Sequence, residues 1–192
     1  DRVTFSGGDW FKAAVYIDRA NHGQFNSTWG TDDLAKLSGV LLNRAALMPA
    51  ADQQQIAKTY ISAFVETTLR DNAAYRPLFD SPQYGQDWLP DYTYITHSED
   101  GSYRPLADFG EDIDLTTATL PGSRIETAGL TSWREQTLGL KWAANRTHAA
   151  YVGWRQEEAQ PAPSYAITLP AGSVTATTGS KLVLDLADAA ED

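Results

Sequence analysis

One histidine is placed where it could do chemistry. His22 stands in Asn21-His22-Gly23-Gln24-Phe25-Asn26, just past an apolar run from Ala13 to Ile17 that stops at Asp18-Arg19. The run is short and β-branched, as a buried strand is. Asn21 and Gly23 supply turn chemistry, so the imidazole sits on a tight loop beyond the carboxyl end of a strand. Open α/β sheets keep their reacting groups there. As a general base the ring would take a serine proton and return it to the leaving group, with a carboxylate holding its other nitrogen. The plainer reading is a loop histidine bonded to its own turn. Asn21, Gln24, Asn26 and Trp29 would line the same pocket, or only fix the loop.

The remaining chemical residues point more weakly. His97 and His148 have no His or Cys partner at metal-ligand spacing and read as surface or strand-edge residues. Glu111, Asp112 and Asp114 form an acidic turn. Oxygen-rich turns can hold Ca²⁺, but this order lacks the glycine and terminal glutamate of an EF-hand, so a solvated turn is expected. Trp133, beside Arg134 and Glu135, is the expected exposed indole and could stack on a sugar ring. Trp142 and Trp154 share strand faces with aliphatics and are expected in the core. No metal and no cofactor is expected.

The elements that would position these groups change character along the chain. Pro49–Asn72 has the strongest helical pattern, with Ile56, Tyr60, Phe64 and Ile61, Val65, Leu69 as its apolar stripe. Thr31-Asp32-Asp33 could cap a shorter helix over Leu34–Leu47. A turn-rich linker from Asp80 to Pro90 follows, and the period then becomes that of strands. Leu138–Trp142, Ala150–Trp154, Tyr165–Leu169 and Leu182–Leu186 alternate. Tyr92–Thr96, Ile113–Thr117 and Arg124–Thr127 are shorter candidates. Short strands separated by Gly, Pro and Asp turns suggest an antiparallel sandwich. The first strand, apolar on both faces, belongs in a parallel sheet covered on both sides. The expected class is α+β.

The loop Asn21-His22-Gly23-Gln24-Phe25-Asn26, followed by Trp29-Gly30, resembles the histidine loop of large bacterial α/β-hydrolases of the lipase/esterase type. The stretch from Gln55 through Ile61-Ser62-Ala63-Phe64 to Tyr75-Arg76-Pro77-Leu78-Phe79 resembles the helix that follows that loop. Leu106-Ala107-Asp108-Phe109, Glu111-Asp112 and Leu130-x-x-Trp133 resemble jelly-roll modules appended to such hydrolases, some of which bind carbohydrate. The resemblance implies that His22 is the triad base, acting on a small-molecule or polymer ester. In that fold the order is Ser, then Asp or Glu, then His, with the serine in G-x-S-x-G. No serine here has that frame: Ser6-Gly7-Gly8, Gly122-Ser123 and Gly172-Ser173 all fail. Residues 1–90 therefore read as the C-terminal fragment of a hydrolase domain and 91–192 as an accessory β-sandwich. The isolated chain is expected to be inactive. The alternative is a complete, non-catalytic sandwich module that binds carbohydrate or another surface.

Composition removes several classes. With 192 residues, 42% of them hydrophobic, and six Trp, nine Tyr and six Phe, the chain can bury a core in one or two domains. A net charge of −10 argues against nucleic acid as a partner. No apolar stretch approaches the ~20 residues of a membrane span. Absence of cysteine removes disulfides and thiolate sites and leaves the compartment open, an extracellular or cell-surface setting being favoured.

Overall fold

Phe11–Ile17 forms the first strand, β1, and its alternation decides which face is covered. A computed structural model describes residues 8–31, 44–139, 147–155 and 162–189. Phe11, Ala13, Val15 and Ile17 pack against a buried cluster of Met48, Ile56, Tyr60, Ala63, Leu78 and Phe79. Ala14 and Tyr16 face the other way and are exposed. β1 pairs antiparallel with β2, Tyr94–Asp100, setting Val15 opposite Thr96 and Ile17 opposite Tyr94. Among the described residues, then, β1 lies in no parallel sheet. The run reads apolar throughout yet is one-sided, because a small Ala14 and a Tyr16 with a polar tip tolerate water.

Ala50–Leu69 is α1, inside the helix expected over Pro49–Asn72. Pro49 precedes its first turn, where no N–H is needed, and Asp52 places a carboxylate at the positive end of the helix dipole. Gln53, Ile56, Tyr60 and Ala63 are its buried residues. Burial stabilises by roughly 1.5–3 kcal/mol for each large apolar side chain. Ile61, Val65 and Leu69 do not join this face, and Leu69 is 79% exposed. Each residue turns the helix by roughly 100°, so Ile61 has rotated away from the buried side that Tyr60 occupies. Pro77–Asp80 forms a short α2, which carries Leu78 and Phe79 into the same cluster. Phe79 meets the Phe11 ring edge-on at 5.4 Å. Most of the helix expected over Leu34–Leu47 lies outside the described residues, and Arg44–Ala46 is a single 3₁₀ turn.

The chain divides into two units, Thr4–Tyr103 and Arg104–Asp192 together with Asp1–Val3. This division comes after the expected boundary at residue 90, because Tyr94–Asp100 completes the pair with β1. In the second unit β3, Arg124–Ala128, pairs with β6, Ser164–Thr168, and β4, Ser132–Thr137, pairs with β5, His148–Gly153. Both pairs are antiparallel, and the second is nested within the first. The strands expected from alternation at Ala150–Trp154 and Tyr165–Leu169 overlap β5 and β6, and the shorter candidate Arg124–Thr127 falls within β3. β4 was not legible from alternation, because Ser132-Trp133-Arg134-Glu135-Gln136-Thr137 carries one large apolar side chain. Residues 140–142 of the strand expected over Leu138–Trp142 lie outside the described residues. Ile113–Thr117 contributes only a bridge from Thr117 to Arg124. Leu182–Leu186 alternates but forms no strand, with Leu182, Leu184 and Leu186 all exposed. The chain thus combines helices with antiparallel strands, the expected α+β class.

Candidate functional site

The loop after β1 is fixed by two buried glutamines. The chain leaves β1 through Arg19, whose φ of 61° is left-handed. Few residues other than glycine adopt that conformation cheaply, and such strain gathers at functional positions. The Arg19 carbonyl accepts from the Met48 N–H at 3.0 Å. Gln53, wholly buried on α1, accepts from the Asn21 N–H at 3.0 Å and donates its amide to the Asn21 carbonyl. Gln24, 5% exposed, donates to the Met48 carbonyl at 2.9 Å. Within the loop, Asn21 Oδ1 accepts from the Gln24 N–H, and Asn26 Oδ1 accepts from the N–H groups of Thr28 and Trp29.

His22 rides on this frame with its side chain outward. It caps the 3₁₀ turn Gly23–Phe25 without a side-chain hydrogen bond to it, and it is exposed. Its ring stands edge-to-face against Trp29, centroids 5.2 Å apart and planes at 72°. Of the four residues expected to line a pocket here, only Trp29 stands against His22 as a ring. Asn21 and Asn26 accept from backbone N–H groups within the loop, and Gln24 donates out of it to Met48. For Gln24 the physical reason is burial: a buried amide left unpaired costs about 1–3 kcal/mol, so it is committed to a backbone partner.

A second array lies on the outer face of β1 and β2. Lys12 Nζ is 2.6 Å from Glu99 Oε2, and His97 Nε2 is 2.9 Å from Glu99 Oε1. Register places Lys12 opposite Glu99, and His97 two residues away on the same face. His97 is half-buried, with its edge towards Tyr103. Burial pushes the Glu99 carboxyl up, but hydrogen bonds from Lys12 and His97 outweigh it and leave the group below its ordinary value. The sequence gives this array one signal, the i, i+2 spacing of His97 and Glu99 on a strand.

In the second unit, Trp133, Glu135 and His148 share one face of the β4–β5 ribbon. Trp133 Nε1, Glu135 Oε1, His148 Nδ1 and Tyr165 OH are all shut from water and meet no hydrogen-bond partner among the described residues. Trp133 and Tyr165 meet ring to ring at 6.2 Å and 90°. Burial pushes Glu135 up, helped by the negative charges of Glu111, Asp112 and Asp114. Burial likewise pushes Tyr165 up to about 12, with Glu135 and Glu111 adding to it and the Trp133 indole opposing. The exposure expected of Trp133 belongs instead to Trp154, which is 54% exposed at the end of β5. Trp142 lies outside the described residues. His148 Nε2 lies 3.1 Å from Thr137 Oγ1.

The acidic turn satisfies itself. Asp112 accepts from the Asp114 N–H and the Thr117 hydroxyl, and Asp114 from the N–H and hydroxyl of Thr116. Glu111 accepts from Thr119 at 3.0 Å. Among the described residues, no three acidic, histidine or cysteine side chains are grouped to hold a metal. No helix among them is long and apolar enough to cross a membrane. In comparison with known proteins, no family model matches the chain, and no curated protein or solved structure matches it at a significant level.

Proposed function

We propose that this chain is the C-terminal portion of a serine hydrolase-like protein that cleaves esters or related acyl substrates. His22 is the general base, and the serine and its carboxylate partner come from sequence outside these residues. The observation that carries the reading is the His22 loop itself. Two buried glutamines, Gln53 and Gln24, hold its backbone while the imidazole stays exposed beside Trp29. Among the described residues β1 pairs along one edge only, leaving the other edge for a further strand. The test is hydrolysis of p-nitrophenyl butyrate by the entire product of the gene. His22→Ala should lower kcat by about 10⁴- to 10⁶-fold, and these 192 residues alone should show no turnover. A gene without an upstream G-x-S-x-G, or full activity in the His22→Ala protein, ends the proposal.

A second reading, a non-catalytic β module that binds carbohydrate or another surface, is favoured by one feature. Trp154 is exposed beside Val152, Pro163 and Tyr165, which line a shallow depression with it. Retardation of the chain by polysaccharide in a gel, abolished by Trp154→Ala, tests that reading.

A further inference from the structure

A groove along α1 serves no purpose in the His22 reading. Its volume is about 370 Å³, within the range of small-molecule sites. One wall is aromatic. Trp88, 44% exposed, and Tyr75 lie with ring centroids 6.1 Å apart and planes tilted by 49°. The other wall is a stripe of the helix: Gln55, Thr59, Ser62 and Glu66 follow at steps of three or four residues, with Lys58 beside them. That spacing keeps them on one face. Gln55 ties the walls together by donating to the Trp88 carbonyl at 3.3 Å.

The chemistry of the two walls defines a ligand. The Thr59 hydroxyl donates to the Gln55 carbonyl at 3.0 Å and the Gln55 amide donates to Trp88 and Thr59, so what the stripe offers a ligand is the Lys58 ammonium, the Ser62 hydroxyl, the Gln55 amide oxygen as an acceptor and the Glu66 carboxylate. Lys58 and Glu66 carry opposite charges, so the stripe selects neither an anion nor a cation. Glu66 is also paired with Arg70 at 2.9 Å. A ring bearing several neighbouring hydroxyls, each both donor and acceptor, matches such a row. Its C–H face matches an exposed indole. We infer that this groove binds a neutral saccharide, one pyranose ring stacked on Trp88 with its hydroxyls on the α1 stripe. The site stands whether or not His22 is catalytic.

The full chain is titrated with cellohexaose, xylohexaose and mannohexaose, followed by tryptophan fluorescence and calorimetry. At least one should give a saturable signal. Trp88→Ala should weaken it at least about tenfold, whereas Leu182→Ala, an exposed change in the other unit, should leave it unchanged. Trp88 also packs against Tyr84, so a second variant guards against misfolding. Lys58→Ala with Ser62→Ala changes two exposed side chains, and it should weaken binding by a similar factor with an unaltered urea midpoint. Absence of binding at about 10 mM of all three sugars overturns the inference. So does binding lost in Trp154→Ala and retained in both groove variants.

Discussion

Gln53 reaches from α1 to both backbone polar groups of Asn21, accepting from its N–H and donating to its carbonyl. The two residues are 32 positions apart, and Gln53 has no exposed surface. One side chain thereby replaces a strand partner for the residue next to His22. The helix and the histidine loop are thus a single construction.

Removing that amide should be costly. Gln53→Leu keeps the volume but removes the side-chain partner of the part-buried N–H and carbonyl of Asn21. With about 1–3 kcal/mol for each of the two groups, the expected loss is about 2–6 kcal/mol. Urea unfolding measures it. A loss below about 0.5 kcal/mol would mean that water replaces the amide without penalty.

Neighbouring positions on α1 should respond in opposite ways. Ile56 has no exposed surface, and Ile56→Ala should destabilise by about 2–5 kcal/mol. Ile61 is 64% exposed, so Ile61→Ala should stay within about 0.5 kcal/mol of the parent. The Tyr60 hydroxyl is buried with no hydrogen-bond partner among the described residues, and burial, with the neighbouring Tyr94, pushes its pKa up to about 12. Tyr60→Phe removes that unmet group and should leave stability equal or higher by roughly 1 kcal/mol. Thermal denaturation of the three variants, run side by side, checks the order.

The two units should differ in their response to acid. Asp100 is held below its ordinary value chiefly by the hydrogen bond from the Ser102 hydroxyl, with the Arg76 guanidinium also lowering it. Glu99 is lowered too, once its hydrogen bonds have outweighed burial. A lowered folded pKa means stability that is present above the ordinary carboxylate value and lost as pH falls through the folded one. The first unit should therefore weaken as pH falls below about 4, the ordinary carboxylate value, and Asp100→Asn should flatten that fall. Glu135 is raised, so its contribution is intact below the ordinary glutamate value and lost as pH climbs through the folded one. Glu135→Gln should accordingly strengthen the second unit at neutral pH. Hydrogen exchange of β2 and β4 peptides, corrected for intrinsic rate, separates the two trends. Parallel responses in both peptides would contradict this assignment.

What the sequence disclosed, and what it hid, follows from how each element is stabilised. α1 was legible because three or more turns of periodicity average out local exceptions, and its ends agree with those expected to within a few residues. β5 and β6 were legible because alternation and turns coincide. β4 was hidden because its strand identity comes from pairing with β5, register that no single stretch encodes. The reverse holds at Leu182–Leu186, where perfect alternation finds no described partner. At the histidine loop the imidazole stood out, while Gln53 did not. A glutamine inside a helix reads as solvent-facing until the loop 32 positions earlier is brought against it.

The bare leucines of Leu182–Leu186 carry a practical corollary. Their backbone enters no helix and no strand, and Leu186 is 86% exposed. An endoprotease that cuts after leucine needs just such a stretch threaded through its cleft, and helices or paired strands deny it one. Digestion of the folded molecule should therefore begin here, trimming the far end while the β3–β6 ribbon persists.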